Sequence, residues 1–182
     1  MRVIGGEYRS RVLKSIPGLD VRPTPDRLRE ALFNILAPRI AGAAFADIYA
    51  GTGSVGIEAL SRGASKAIFV EQNAAACAVI RENLRSLGAE SRASVIHRKA
   101  AAAFPSIQAD IVFIDPPYRL ENEYRRCLEI LAQAQNPPAL AIVQHAARFV
   151  LPDVLKASRV VKQGDNALTF FAMNKSEDFI RV

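Results

Sequence analysis

The stretch DIYAGTGSVG, residues 47–56, decides the fold of this chain. Its last six residues read G-x-G-x-x-G; an apolar strand-like run precedes them and a helical pattern follows. Glu71 stands 20 positions after Gly51. Taken alone, this combination is typical of a nicotinamide or flavin dinucleotide site at the first turn of an α/β sheet.

An aspartate four residues before the first glycine argues for a different ligand. Because Asp47 ends the strand that leads into the turn, we expect its carboxylate to face the ligand. A carboxylate would repel a pyrophosphate but attract the ammonium and sulfonium groups of S-adenosylmethionine. Glu71 can accept hydrogen bonds from the ribose hydroxyls of either ligand. The cofactor-binding residues predicted for S-adenosylmethionine are Asp47, Tyr49, Gly51, Gly53, Glu71 and Gln72.

Length and composition indicate one globular domain. The chain has 182 residues, half of them apolar and 23% charged, with no apolar run long enough to span a bilayer. Its two cysteines lie far apart, which argues against a disulfide framework or a metal site and favours a reducing cytoplasm. We expect a single domain over residues 1–182 that works as a monomer, without metal or membrane.

A positive charge balance points towards a polyanionic partner. The net charge is +6 and the isoelectric point about 9.7, and basic residues crowd the first thirty positions. Position alone does not separate RNA binding from a solvated basic face. The predicted RNA-binding residues are Arg2, Arg9, Arg11, Arg22 and Arg27.

The amino-terminal part is predicted to be an extension to the core. Residues 1–14 indicate a short hairpin or arm that turns at Gly5-Gly6. The run RPTPDRLREALFNILAP, residues 22–38, predicts a helix with Thr24 as its cap, Pro25 in its first turn and Pro38 at its end. We therefore divide the chain into a basic extension, 1–37, and a Rossmann-like core, 43–174.

Strand and helix patterns alternate through the core, which predicts an α/β fold with helices on both faces of a parallel sheet. Apolar strands are predicted at 44–49, 66–70, 93–97, 109–114 and 139–144. Helices are predicted near 54–62, 73–86, 100–104 and 121–134. Two more strand-like runs flank Gly164-Asp165-Asn166, a hairpin turn, so the sheet should finish with an antiparallel strand.

A second motif, DPPY at residues 115–118, directly follows the apolar run DIVFI. Alone it fits an ordinary turn, but beside the glycine loop it predicts a loop that receives a nucleobase. Asp115 and a carbonyl near Pro116 can accept hydrogen bonds from an exocyclic amine and make its nitrogen more nucleophilic. Tyr118 offers a flat face for a splayed-out base. The predicted catalytic residues are Asp115, Pro116, Pro117 and Tyr118.

Four motifs, in this order, closely resemble the RsmD family, whose members methylate the N2 amine of one guanine in bacterial 16S ribosomal RNA. The motifs are RPTPDRLREALFNIL, DIYAGTGSVGIEALSRGA, FVE at 69–71, and DPPY. The resemblance implies a class I methyltransferase sheet of seven strands with a reversed last strand, and S-adenosylmethionine as cofactor. It implies ribosomal RNA as partner, either free or in the assembling small subunit. It also implies cofactor- and RNA-flanking roles for Arg22, Pro23, Thr24, Arg27, Glu30 and Asn34.

Two segments depart from the family pattern. Lys99-Ala100 stands where related enzymes place an acid or amide against the adenine ring, so adenine contacts are open there. Gln144-His145 stands where relatives often carry an acid, and the sequence assigns that pair no role. Residues interpreted as packed or solvated instead of catalytic are His97, His145, Cys77, Cys127, Phe33, Phe69, Phe113, Phe170 and Phe171.

Three other functions stay open at this point. The DPPY motif also fits a methyltransferase that acts on an adenine amine of DNA or of other RNA. The glycine loop fits a nicotinamide-dependent oxidoreductase, although no hydride-transfer set accompanies it. A non-catalytic RNA-binding module would retain the basic arm and have no need of Asp115.

Overall fold

A computed structural model of the protein describes residues 1–16 and 24–173. The described strands are β1 (Ala44–Ile48), β2 (Lys66–Glu71), β3 (Ala93–His97), β4 (Ile111–Ile114), β5 (Leu140–Ala146), β6 (Arg159–Gln163) and β7 (Asn166–Ala172). The described α-helices are α1 (Asp26–Ile40), α2 (Ser54–Ser61), α3 (Ala74–Leu87), α4 (Ala100–Ala103) and α5 (Glu121–Gln133). Short 3-10 turns occupy 90–92 and 104–106.

All seven strands join one sheet in the order β3-β2-β1-β4-β5-β7-β6. Strands β1 to β5 run parallel to one another, whereas β7 is antiparallel to both of its neighbours. Strands β6 and β7 form an antiparallel hairpin, with only Gly164 and Asp165 between them. The predicted α/β class, the seven strands and the reversed last strand are confirmed.

The central strands are buried on both faces, which explains why they read as continuous apolar runs. Every residue of β4 is buried, and so are the first six of β5. In the sheet register Ile48 lies opposite both Val70 and Ile114. The residues that follow these positions, among them Glu71 and Asp115, therefore emerge together at the carboxyl edge of the sheet.

Helix α1 differs from its prediction at both ends. The capping position is Pro25 and no described side chain caps the helix, because the Thr24 hydroxyl donates to Gln144 Oε1 instead. The helix also runs through Pro38 to Ile40. Ile40 is buried in the core cluster beneath the helix, so its packing offsets the backbone hydrogen bond that proline cannot donate.

Residues 1–14 form the predicted arm, closed by a single antiparallel bridge between Arg2 and Val12. The arm is bound firmly to α2. The buried carboxylate of Glu58 accepts backbone N–H groups from Ile4 at 2.8 Å and from Gly5 at 2.9 Å. The basic arm is thus packed onto the core.

The predicted core residues are confirmed. Phe33, Phe69, Phe113, Phe170 and Phe171 are all buried, and the two cysteines are buried within α3 and α5. Across residues 1–16 and 24–173, no helix has the length and apolar character needed to cross a bilayer.

Candidate active site

The glycine turn after β1 is a strained loop that brings backbone close to the carboxyl edge of the sheet. Tyr49 has φ +76°, a left-handed conformation that a non-glycine residue seldom adopts, while Gly51 and Gly53 have φ +55° and +79°. A Cβ on Gly56 would lie 2.3 Å from the Phe69 ring, so the third glycine lets α2 pack directly on the sheet. Such local strain is characteristic of functional sites.

Asp47 lies at the base of this turn, in a position that water does not reach. It is 2% exposed, and its Oδ2 accepts the Gly56 N–H at 3.0 Å. The pKa of Asp47 is raised to about 7, chiefly by burial; the Gly56 hydrogen bond acts to lower it and the charge of Glu71 acts to raise it. The carboxylate is therefore held next to the first turn of α2 in an environment that disfavours its charge.

A cavity of about 770 Å³ opens at the carboxyl edge, within the size range of small-ligand sites. It brings together the two motifs predicted from sequence. The predicted residues that line it are Tyr49, Gly51, Glu71, Gln72, Asp115, Pro116, Pro117 and Tyr118. Asp47 and Gly53 are not among the lining residues, and their assignment to cofactor binding stays a prediction.

Glu71 forms one side of the cavity and organises the glycine loop. Its Oε2 accepts the Gly51 N–H at 2.9 Å, and its Oε1 accepts the Asn73 N–H at 2.7 Å. Each carboxylate oxygen retains a lone pair that can accept a further hydrogen bond. A ligand with two vicinal hydroxyls could bind there without disturbing the loop.

The DPPY loop forms the opposite side. The Asp115 N–H donates to the Ile48 carbonyl at 3.3 Å, which attaches the loop to the end of β1. Burial, followed by the negative charge of Asp47, raises the pKa of Asp115 well above its usual value. The Pro116 carbonyl accepts the Tyr124 hydroxyl at 3.3 Å and keeps a second lone pair for another donor.

Tyr118 is held by a chain of hydrogen bonds. Its hydroxyl donates to Asn166 Oδ1 at 2.8 Å and accepts from Gln144 Nε2 at 3.3 Å. Gln144 Oε1 in turn accepts the Thr24 hydroxyl at 3.2 Å. Four distant segments therefore converge on one tyrosine: the residues before α1, the loop after β4, the end of β5 and the start of β7.

Gln144 and Asn166 also line the cavity, although the sequence patterns do not predict either of them as a site residue. The sequence pattern indicates Asn166 only as part of a hairpin turn, and it assigns Gln144 no role. The pairing of Ala146 with Asn166 in the β5–β7 ladder brings the two side chains to the same place. Only knowledge that β7 inserts beside β5 would have predicted this proximity.

The histidines take up packing and surface positions, as interpreted from the sequence. His145 contacts the Thr169 hydroxyl through Nε2 at 2.8 Å and the Ala146 carbonyl through Nδ1 at 2.9 Å, and burial lowers its pKa. His97 is exposed and contacts the Gln72 carbonyl. Neither histidine lines the cavity.

At the end of β3, Arg98 and Ala100 line the cavity while Lys99 does not. The Lys99 carbonyl accepts N–H groups from Ala102 and Ala103, so this residue serves to start α4. Arg98, which sequence reasoning passes over, supplies the charged side chain at this place instead.

The predicted RNA-binding arginines fall into different parts of the molecule. Arg2, Arg9 and Arg11 belong to the arm, and the Arg11 guanidinium donates to the Ser86 carbonyl at 2.8 Å. Arg27 is exposed in the first turn of α1, two residues after Pro25, which lines the cavity. Arg22 lies outside the described residues.

Comparison with known proteins links this arrangement to methyltransferases. The family model described as Conserved hypothetical protein 95 matches residues 1–173. Ribosomal RNA small subunit methyltransferase D of Haemophilus influenzae is 34% identical over 151 residues, covering 79% of this chain and 78% of that protein. The Escherichia coli (strain K12) protein of the same name is 42% identical over 121 residues, covering 65% of this chain and 61% of that protein.

Solved structures agree with these sequence matches. A hypothetical protein of Thermus thermophilus superposes with a TM-score of 0.80 at 31% identity, covering 94% of this chain and 99% of that one. An RNA methyltransferase from Salinibacter ruber, in complex with S-adenosyl-L-homocysteine, superposes with a TM-score of 0.66, covering 85% of this chain and 95% of that one. At 17% identity, the second likeness shows a shared fold alone.

Proposed function

The chain belongs to the RsmD family of ribosomal RNA methyltransferases, and from that premise we propose that it methylates the exocyclic N2 amine of a guanine in 16S ribosomal RNA. One observation carries the proposal. The glycine loop with Glu71 and the loop Asp115–Tyr118 form two sides of a single cavity. A cofactor and an acceptor base bound to these two sides would meet between them.

The residues present suit S-adenosylmethionine. The two oxygens of Glu71 are placed to accept the ribose hydroxyls, and Gly51 allows close approach of the backbone. When bound, this cofactor supplies an electrophilic methyl group on a positively charged sulfur. Burial raises the pKa values of both Asp47 and Asp115, and a sulfonium nearby would favour their charged forms.

The loop after β4 prepares the acceptor. Asp115 and the Pro116 carbonyl accept the two N–H groups of the amine, which concentrates its lone pair towards the methyl donor. Nitrogen becomes positively charged as it gains the methyl group, and then releases one N–H proton. The raised pKa of Asp115 suits it to receive that proton. Tyr118, fixed by its hydrogen bonds, supplies the face on which the base stacks.

We also propose that the enzyme works in the cytoplasm as a single-domain monomer, on ribosomal RNA that is either free or in the assembling small subunit. One continuous sheet and a one-domain length support this view. Size-exclusion chromatography of the protein alone, and methylation of 16S RNA against isolated small subunits, would test each part.

Substitution of Asp115 tests the chemistry. Asp115→Ala should lower the rate of methyl transfer to 16S RNA at least about 100-fold, because it removes a preorganised acceptor at the reacting nitrogen. Calorimetric titration should show that the variant still binds S-adenosylhomocysteine. The matched control is Asp153→Ala, which removes an exposed carboxylate elsewhere and should leave the rate unchanged. A variant with normal turnover would overturn the assigned role of Asp115.

Product mapping separates the rival functions. Mass spectrometry of 16S RNA treated with the enzyme should show one N2-methylguanine, and a methyl group on adenine would reject the proposed acceptor. Thermal-shift screening should show stabilisation by S-adenosylhomocysteine and none by NAD. An oxidoreductase would give the opposite result. A non-catalytic RNA-binding module would bind RNA and release no S-adenosylhomocysteine.

A further inference from the structure

Exposed arginines follow three of the parallel strands at the edge that holds the cavity. Arg98 comes directly after β3, Arg119 lies in the loop after β4, and Arg148 lies in the loop after β5. The carboxyl ends of parallel strands share one edge of a sheet, so all three residues lie on the cavity side. Two of them, Arg98 and Arg119, line the cavity itself. We call these three residues the rim arginines.

The rim arginines remain available to a ligand. Throughout residues 1–16 and 24–173, no ion pair and no side-chain hydrogen bond engages any of their guanidinium groups. The acids that follow Arg119 are Glu121 and Glu123, and Glu123 already accepts the Tyr49 hydroxyl at 2.6 Å. An unengaged guanidinium at a surface can form paired hydrogen bonds to a phosphate.

Two cations of the N-terminal arm, Arg11 and Lys14, are engaged elsewhere in the fold. Arg11 donates to the Ser86 carbonyl, and Lys14 forms an ion pair with Glu82. The first turn of α3 contributes Ala76 to the cavity, whereas Ser86 lies close to the far end of that helix. At 1.5 Å per residue, Ser86 is about 18 Å along the axis from the start of α3. Arg11 and Lys14 therefore contact the part of α3 that is remote from the cavity.

We propose that the rim arginines are the phosphate-binding surface for the substrate RNA, and that Arg11 and Lys14 serve mainly to attach the arm to the core. This inference rests on the proposed function, in which the loop Asp115–Tyr118 takes up a base. A base can enter the cavity only if it leaves its stack, and the phosphates on either side of it then lie at the cavity mouth.

The spacing of the rim suits a strand of RNA laid across the sheet edge. Strands β3 and β5 are four positions apart in the sheet, which separates them by about 19 Å at 4.8 Å per strand. Arg119, after β4, lies between the other two. The partner that fits is a single strand, or a loop, with one nucleotide turned inwards between its neighbouring phosphates.

Single substitutions that remove one charge test this surface. Binding of a labelled 16S RNA transcript to Arg98→Gln, Arg119→Gln and Arg148→Gln is measured at several salt concentrations. Each variant should bind about 3- to 10-fold more weakly, and the slope of log affinity against log salt should become shallower by roughly 0.7–1. Arg9→Gln and Arg11→Gln remove the same charge from the arm, and their affinities should change less than about twofold.

The outcomes distinguish this surface from the proposed chemistry. Equal losses from rim and arm variants, or losses from arm variants alone, would overturn the rim proposal. Failure of the wild-type protein to bind the RNA would overturn it as well. Loss of RNA binding in the rim variants supports the surface even if Asp115→Ala keeps full turnover, and in that case the assigned chemistry alone fails. Arg148→Lys, which retains charge, should recover most of the salt slope.

Discussion

The N-terminal arm and the carboxyl edge of the sheet are both rich in charged groups but use them in opposite ways. At the arm, the buried Glu58 carboxylate accepts two backbone N–H groups and pairs with Arg62 Nε at 2.8 Å, with Arg29 nearby. At the carboxyl edge, burial raises the pKa values of both Asp47 and Asp115, and the charge of Asp47 raises that of Asp115 further.

This difference separates charged groups that stabilise the fold from charged groups that are suited to bind a ligand. The buried carboxylate of Glu58 is paired inside the fold, so it holds the arm to α2. Acids at the carboxyl edge are held in an unfavourable state that a positively charged ligand would relieve. Charge alone in the sequence does not reveal which of these two uses applies, because both depend on the neighbours that folding supplies.

The largest effect on stability is expected from replacing Glu58, whose carboxylate binds the arm to α2. Glu58→Gln leaves Arg29 buried with its main counter-charge removed, and should lower the free energy of unfolding by about 3–5 kcal/mol. Urea denaturation measures this change. Glu82→Gln removes an exposed ion pair with Lys14 and should cost no more than about 1 kcal/mol. Similar small losses in both variants would show that the arm is not anchored through Glu58.

A smaller effect of opposite sign is expected at the carboxyl edge. Asp47→Asn removes a charge that the fold disfavours, and should raise the free energy of unfolding of the ligand-free protein by about 2–4 kcal/mol at pH 8. Because the folded-state pKa of Asp47 lies above the unfolded value, the contribution of this group becomes steadily more destabilising as pH rises from about 4 to about 7. The gain should therefore shrink below pH 7 and almost vanish near pH 4.

Denaturation across this pH range tests the prediction. Asp110→Asn is the matched control, because it removes an exposed carboxylate that also accepts a backbone N–H, from Ala44. That variant should show no gain at any pH. A gain for Asp47→Asn that stays constant from pH 4 to pH 8 would mean that the burial of its charge is not the cause.

The smallest effect is expected from the hydrogen bonds on Tyr118. Gln144→Met keeps the side-chain volume but neither donates to Tyr118 nor accepts from Thr24. The KM for RNA should rise about 2- to 10-fold, which corresponds to one or two net hydrogen bonds, while S-adenosylhomocysteine affinity stays the same. Gln133→Met on the exposed face of α5 is the control. Equal weakening of cofactor and RNA would indicate general loss of structure.

Local patterns are sufficient for much of the site. The glycine turn, Glu71 and the DPPY loop each follow a strand directly, so their common position at the sheet edge follows from the strands alone. Helix ends are less predictable. Thr24 is a good capping residue by type, but a hydrogen bond to Gln144, 120 positions away, determines its actual role. Pro38 should end a helix, yet packing of Ile40 continues it.

The class of fold and the positions of the glycine turn and the DPPY loop can be predicted from the sequence alone, because each depends on residues adjacent in the chain. Which cations have partners, by contrast, depends on the tertiary structure. Arg11 and the rim arginines look alike in the sequence, but folding places Arg11 against the end of α3, leaves Arg98 and Arg119 in the cavity wall, and leaves Arg148 at the same edge of the sheet. Electrostatic interactions of a charged side chain depend on how deeply it is buried and on which groups surround it. Both are set by segments that are distant in the sequence.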